Sequence, residues 1–436
     1  MPTPFPTRKP VKAPGFTEFV AMMAAAMSLH AMAIDTMLPA LPLIGHDFGV
    51  SDENRLQWVI TLFVMGTGAG QLAYGPLADR FGRRPVLLGG LAVYVMMTLV
   101  AGLAGNLRLL LVARVAQGIV VSAGSVVSRS IVRDRYSGPT MARVMSTIFI
   151  VFLLVPILAP SVGQLLLSIA SWRGIFVFLA LYSSAVACWI ALRLPETLPP
   201  ERRRPLSAGH LGEALLFVLG EPTSILYTLA MTAMFGSLLA FVSTLPQIFV
   251  GAFHAPQLMA VTFATCAGTM AVASFANSRL VERLGMHLIS HAALLGFIVV
   301  AAVHTAIAWS GHETLPTFTV LQALALACFG LATSNFGAIA MQPMGSMAGS
   351  AASLQGVIST VGGAALASLI GHQWSGSVLF LPAGALCCGL VTLCCVLGAE
   401  RMQLFRSRHP VQSQAAADGR ADYHPQPTVT SDRSDP

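Results

Sequence analysis

Apolar residues run in long blocks through most of this chain, with short polar or basic segments between them. A membrane-crossing helix needs about 20 consecutive apolar residues, so each block predicts one span. The first six fall at 16–40, 56–78, 85–105, 108–131, 141–168 and 173–193. The second six fall at 223–250, 257–279, 286–309, 314–337, 350–372 and 376–399. Internal Gly and Pro are tolerated in such helices. The predicted fold class is all-α integral membrane, with twelve transmembrane helices in two six-helix bundles.

The polar segments set the domain plan. Residues 1–15 are Pro-rich and basic and read as a disordered tail. Residues 16–194 form the N-terminal bundle, 195–222 a linker, 223–400 the C-terminal bundle and 401–436 a second disordered tail. Within the linker, SAGHLGEALLFVLG alternates at helical spacing and reads as a surface helix. The first block lacks a small-residue cleavage site, so it is read as a retained helix.

Two segments repeat at a distance. Leu77–Gly82 (LADRFG) follows the second span, and Leu280–Gly285 (LVERLG) follows the eighth. Thr36-Met37-Leu38-Pro39 is echoed by Ser243-Thr244-Leu245-Pro246 at the ends of spans one and seven. Two halves in parallel repeat are the pattern of two-bundle secondary transporters.

Composition agrees. The chain has 436 residues, 55% hydrophobic and 10% charged, with mean hydropathy +0.73. Soluble domains carry about 25% charged residues. The net charge of +7 sits in loops and tails, which fits membrane orientation rather than nucleic acid. With the first residue inside, the inside loops hold thirteen Arg and the outside loops only Arg55, Arg108 and Arg173. Both termini are therefore expected in the cytoplasm. The seven Cys lie in apolar runs without C-x-x-C spacing, so neither disulfides nor a metal site is expected.

Two charges lie at membrane depth. Asp35 interrupts span one and Arg114 span four, each near the outer third of its helix. Charge at that depth is costly and usually functional. A carboxylic acid there can trade its proton between the two sides. Gln117 and Gly118 share the Arg114 face. Packing is the plainer role for His30, five residues before Asp35. Span one also carries Met22, Met23, Met27, Met32 and Met37; such flexible side chains suit a tolerant cavity, as they suit lipid contact. Tyr74, Gln247, Asn335 and Gln355 are further polar candidates for a cavity wall.

The loop Gly75–Arg84, GPLADRFGRR, resembles the signature loop of the major facilitator superfamily. Gly75 is expected to allow close helix approach and Gly82 a tight turn; Arg80, Arg83 and Arg84 hold the loop inside, with one pairing to Asp79 or a nearby acid. The resemblance implies a gating role for it, echoed by Glu282, Arg283 and Gly285. RVAQG (Arg114–Gly118) resembles the fourth-helix motif of proton-coupled members. Pro156, Pro160 and Gly163 resemble the antiporter motif, with Val155 and Ala159 where glycines are usual. AIDTMLPALP, SRSIVRD (Ser128–Asp134), SWRGIF (Ser171–Phe176) and LPETL (Leu194–Leu198) resemble the Bcr/CflA drug/proton antiporters. The likeness covers most of the first half and thins in the second.

That resemblance implies a monomeric bacterial inner-membrane exporter of hydrophobic or amphipathic small molecules. It would run on the proton gradient, with no cofactor, and with Asp35 and Arg114 as the coupling residues. A proton-coupled uptake symporter shares the fold and the loop and is the alternative. A membrane-embedded enzyme or receptor is the remote one, since HExxH, GxSxG and Walker motifs are absent from the sequence.

Overall fold

Lipid offers no hydrogen-bond partner to a bare peptide group, so a chain this apolar must close its backbone bonds within helices. The computed structural model describes residues 14–50, 52–136, 138–203 and 218–405, and among them every regular element is helical. The first half contains α1 (Phe16–Asp35), α2 (Trp58–Phe81), α3 (Arg83–Gly102), α4 (Leu107–Arg135), α5 (Gly138–Ile169) and α6 (Arg173–Arg193). The second contains α7 (Pro222–Gln247), α8 (Met259–Leu284), α9 (Met286–Trp309), α10 (Leu315–Met341), α11 (Ala348–Gly371) and α12 (Phe380–Ala399). Eleven spans are long and apolar enough to cross a membrane among the described residues, and the apolar part of α5, Leu154–Ile169, is shorter. The expected tails, and most of the expected linker with its surface helix, lie outside the described residues.

Helix pairing repeats with a shift of six. In the first half α1 packs on α4, α5 and α6, α2 on α4, and α3 on α4 and α6. In the second, α7 packs on α10, α11 and α12, α8 on α10, and α9 on α10 and α12. The halves meet through α2 with α11 and α5 with α8, which are each other's counterparts under the same shift. This is a pseudo-two-fold arrangement of two six-helix bundles.

Polar side chains gather at two levels. On the near side, where α1 begins, Arg193 donates to both Glu18 oxygens at 2.6 and 2.8 Å, tying the first helix to the sixth. The counterpart ties the seventh to the end of the twelfth. There Tyr227 Oη donates to Glu400 Oε1 at 2.8 Å, with His287 Nε2 3.5 Å from the same oxygen. The Phe405 N–H donates to His291 Nδ1 at 3.0 Å, so the segment after α12 folds back onto α9. On the far side, Asp47 accepts from Trp172 Nε1 at 2.7 Å and from Arg173 at 3.2 Å, and Glu313 meets buried His304. The SWRGIF segment thus anchors the far end of span one.

Candidate functional site

Span one is not a single helix. α1 stops at Asp35, a turn covers Thr36 and Met37, and Leu38–Ala40 forms a 3-10 turn before a short helix, Leu41–Asp47. Pro39 and Pro42 cannot donate to the ladder. The turn tightens: the Met37 N–H donates to Ile34 O at 3.1 Å instead of reaching the Ala33 carbonyl. That carbonyl is freed, and Arg114 Nη2 donates to it at 3.0 Å.

Arg114 is fully buried. Its Nε donates to Val59 O at 2.9 Å, its Nη1 to Gln117 Oε1 at 3.2 Å, and its guanidinium lies 4.1 Å over the Phe63 ring. A buried cation is tolerated when its donors are filled this way. Gln117 passes the network on, donating to Thr98 Oγ1 at 2.7 Å. The group does not reach out to an interface; α1, α2, α3 and α4 enclose it.

Asp35 is 5% exposed, so it points into protein rather than toward lipid. Arg114 reaches a carbonyl two residues before it, which gives the two the shared depth and bundle expected from their positions. Among the described residues its carboxylate has no hydrogen-bond or ion-pair partner, and Arg114 spends its donors elsewhere. His30 stacks on Phe63 with ring centroids 5.6 Å apart, and its Nδ1 lies 3.5 Å from Thr67 Oγ1, a packing role with one weak polar contact.

Close backbone approach shapes the site. A Cβ on Gly118 would lie 2.0 Å from Phe63 O, so α4 touches α2 backbone to backbone. A Cβ on Gly163 would lie 2.3 Å from Thr36 O, so α5 presses on the break beside Asp35. Pro156 and Pro160 sit inside α5 without ending it.

The signature loop is a second centre, on the near side. Gly82 adopts φ +101°, and α3 starts at the next residue. Arg83 is buried, with Nη1 2.6 Å from Asp79 Oδ1 and Nε donating to Asp134 Oδ2 at 2.9 Å. Glu196 caps α3: it accepts from the Arg83 and Arg84 N–H groups at 3.0 and 3.3 Å and from those of Thr197 and Leu198 at 2.9 and 3.0 Å. Arg84 Nη2 donates to Ala191 O at 2.5 Å, while Arg80 is exposed and stacks over Phe81. The acids of SRSIVRD and LPETL thus converge on one loop.

One expectation needs correction, the close helix approach at Gly75. A Cβ on Gly75 would meet no described atom within 4 Å, whereas Gly68 and Gln71 earlier on α2 touch Val361 and Gly356 of α11. The close approach lies one and two turns earlier. The echo loop keeps its backbone but not its charges: Gly285 has φ +80°, while Glu282 and Arg283 are exposed with no ion pair among the described residues. Asn335 pairs with Asn277 at 2.8 Å, and Gln355 donates to Ser224 Oγ at 2.8 Å, so both tie helices together. Sequence reasoning gave no role to Glu196 or Asp134; an acid inside each loop motif beside a double arginine was the available signal. Phe63 carried none, being one aromatic in an apolar run.

Comparison with known proteins gives four findings. The family model described as Major Facilitator Superfamily matches residues 23–367. A bicyclomycin resistance protein homolog from Haemophilus influenzae is 30% identical over 359 residues, covering 81% of this chain and 88% of that one. A chloramphenicol resistance protein from Pseudomonas aeruginosa is 31% identical over 74% of each. Among solved structures, a D-xylose-proton symporter superposes with TM-score 0.70 at 13% identity over 89% of this chain and 98% of that one. That last likeness is one of fold.

Proposed function

Since the chain belongs to the Major Facilitator Superfamily, we propose that it exports hydrophobic or amphipathic drug-like molecules in exchange for protons. The observation that carries this reading is the buried Asp35 carboxyl, held at the break in span one without a partner among the described residues. An acid kept at that depth without a fixed counter-ion is free to bind a proton in one state and release it in another. Arg114, committed to three other acceptors, holds the break in place and keeps positive charge near it.

The cycle is alternating access. A substrate enters from the near side, which is the cytoplasmic side by the distribution of Arg. A proton arriving from outside at Asp35 competes with it and resets the carrier as one bundle rocks on the other. The Asp79–Arg83–Asp134–Glu196 cluster ties the near side of the N-terminal bundle (16–194) and acts as its latch. The C-terminal bundle (223–400) contributes the other cavity wall. The protein works as a monomer in the bacterial inner membrane, with both termini cytoplasmic, without cofactor and without chemical conversion of its cargo.

The relatives whose names carry drug resistance support the substrate class. Proteoliposomes with an acidified exterior, followed for drug movement, test the coupling. Asp35→Asn is expected to leave expression and folding intact and to abolish gradient-driven transport. Undiminished coupling in that variant would refute the reading. Uptake in symport is the second reading, favoured only by the shared fold of a proton symporter. An expressing strain exposed to a drug panel separates the two, since efflux lowers susceptibility and uptake does not.

A further inference from the structure

The second bundle carries an apolar groove of about 390 Å³ in its far half, between α11 and α12 and over α7. Its floor is made of small side chains. Ala233 of α7 and Cys388 of α12 lie there, 2% and 6% exposed. Leu369 of α11 and Val391 of α12 stand beside it, 67% and 53% exposed. The two helices touch at Gly384, where a Cβ would lie 2.6 Å from the Ile370 side chain.

The groove has the depth of one leaflet. From Phe380 to Val391, α12 advances about 16 Å at 1.5 Å per residue. That is about half of a hydrocarbon core ~30 Å thick. Ala233, on the floor, sits midway along α7, so the groove runs from the far end of the bundle to the middle of the membrane.

Its two ends differ in chemistry. Gln373 at the far mouth is the single amide among the described lining residues, and none of them is Asp, Glu, Lys or Arg. Next to it Trp374 packs edge-on against Phe380, with ring centroids 5.6 Å apart. Tryptophan beside a polar mouth is the arrangement of the headgroup level, with hydrocarbon below it. A trough left empty there would forfeit the contacts that packed carbon atoms give.

We infer that the groove seats one acyl tail of a far-leaflet phospholipid, with the headgroup end at Gln373 and the tail end at Ala233. Residues 372–379, which form the mouth, include no Asp, Glu, Lys or Arg. Tail length, and not headgroup charge, is therefore what the site selects. The site stands whether the protein exports its cargo or takes it up.

The test uses the full chain purified in detergent, titrated with phospholipids and read by native mass spectrometry. One dipalmitoyl phosphatidylglycerol per chain is expected to bind, with the dihexanoyl form at least about tenfold weaker because each buried methylene adds to binding. Dipalmitoyl phosphatidylethanolamine should bind as tightly as the phosphatidylglycerol. Ala383→Phe should fill the groove and abolish the long-tail preference. Val391→Trp, at a lipid-exposed position that leaves the packing of the bundle alone, should do the same. In vesicles of phosphatidylcholine with a diazirine at the tail end, adducts should concentrate on Cys388 and Val391 above those on Val299, a 61% exposed residue of α9. Equal binding of long and short tails, binding that follows headgroup charge, or an undiminished long-tail preference in Val391→Trp would overturn the proposal. A mass of two chains without lipid would also overturn it, in favour of a second copy on this face.

Discussion

At the scale of single residues, two buried charges and two glycines organise the centre of the first bundle. The charges were legible in the sequence because Asp35 and Arg114 interrupt apolar runs. Their relation was not. Their matching depths placed them in one bundle, yet the guanidinium goes to the Ala33 carbonyl, and that acceptor exists only because the Met37 N–H bonds one residue early. No sequence rule for charge pairing anticipates a carbonyl released by a helix break. Gly118 shows the same limit, since its need for a bare Cα comes from the Phe63 carbonyl of another helix. Gly118→Ala is expected to force α4 off α2 and cost about 1–3 kcal/mol, the usual scale of overpacking. Thermal unfolding in detergent measures it, and the lowered midpoint should accompany slowed transport, because the same separation displaces Arg114 from the break.

At the scale of elements, the turn between α2 and α3 gathers three stretches distant in sequence. Each was readable alone as a motif; their convergence was not, because hydropathy says nothing of which loop meets which. Glu196 fills N–H groups at the start of α3, a place where a helix has donors without acceptors and favours negative charge. Glu196→Ala should cost about 0.5–2 kcal/mol, as loss of an N-terminal cap does. Unfolding in detergent gives the size, and faster protease cleavage near Gly82 should show that the loss is local. The interruption of span one was foreshadowed by Pro39 and Pro42, although the run of apolar residues alone reads as one uninterrupted crossing.

At the scale of the whole molecule, the two-fold pairing of helices was visible in the LADRFG and LVERLG repeat, since a duplicated loop implies a duplicated bundle. The amide contact between halves, in which Gln57 Nε2 donates to Gln247 Oε1 at 2.8 Å, was invisible, because glutamines at span ends are common and uncharged. The near-side tie of the second bundle adds a dependence on pH. Burial alone would push the Glu400 carboxyl up, but hydrogen bonds from His287 and Tyr227 and the nearby histidine charges outweigh it and hold it below the usual value. A carboxyl lowered in the folded state contributes stability above the ordinary glutamate value of about 4.3 and loses it as pH falls through the lowered value. Glu400→Gln should therefore melt earlier than the parent at neutral pH, and the two should converge in acid; melting curves across that range check it.

The two signature turns share a backbone and differ in stitching. One has its arginine buried among acids from three loops; the other leaves both of its charges in the open. An exchange of positions between the bundles then begins from unequal footing. In the proposed rocking cycle the first partner carries its own internal bolts and moves as a block, while the second keeps a corner whose two charges are unpaired among the described residues.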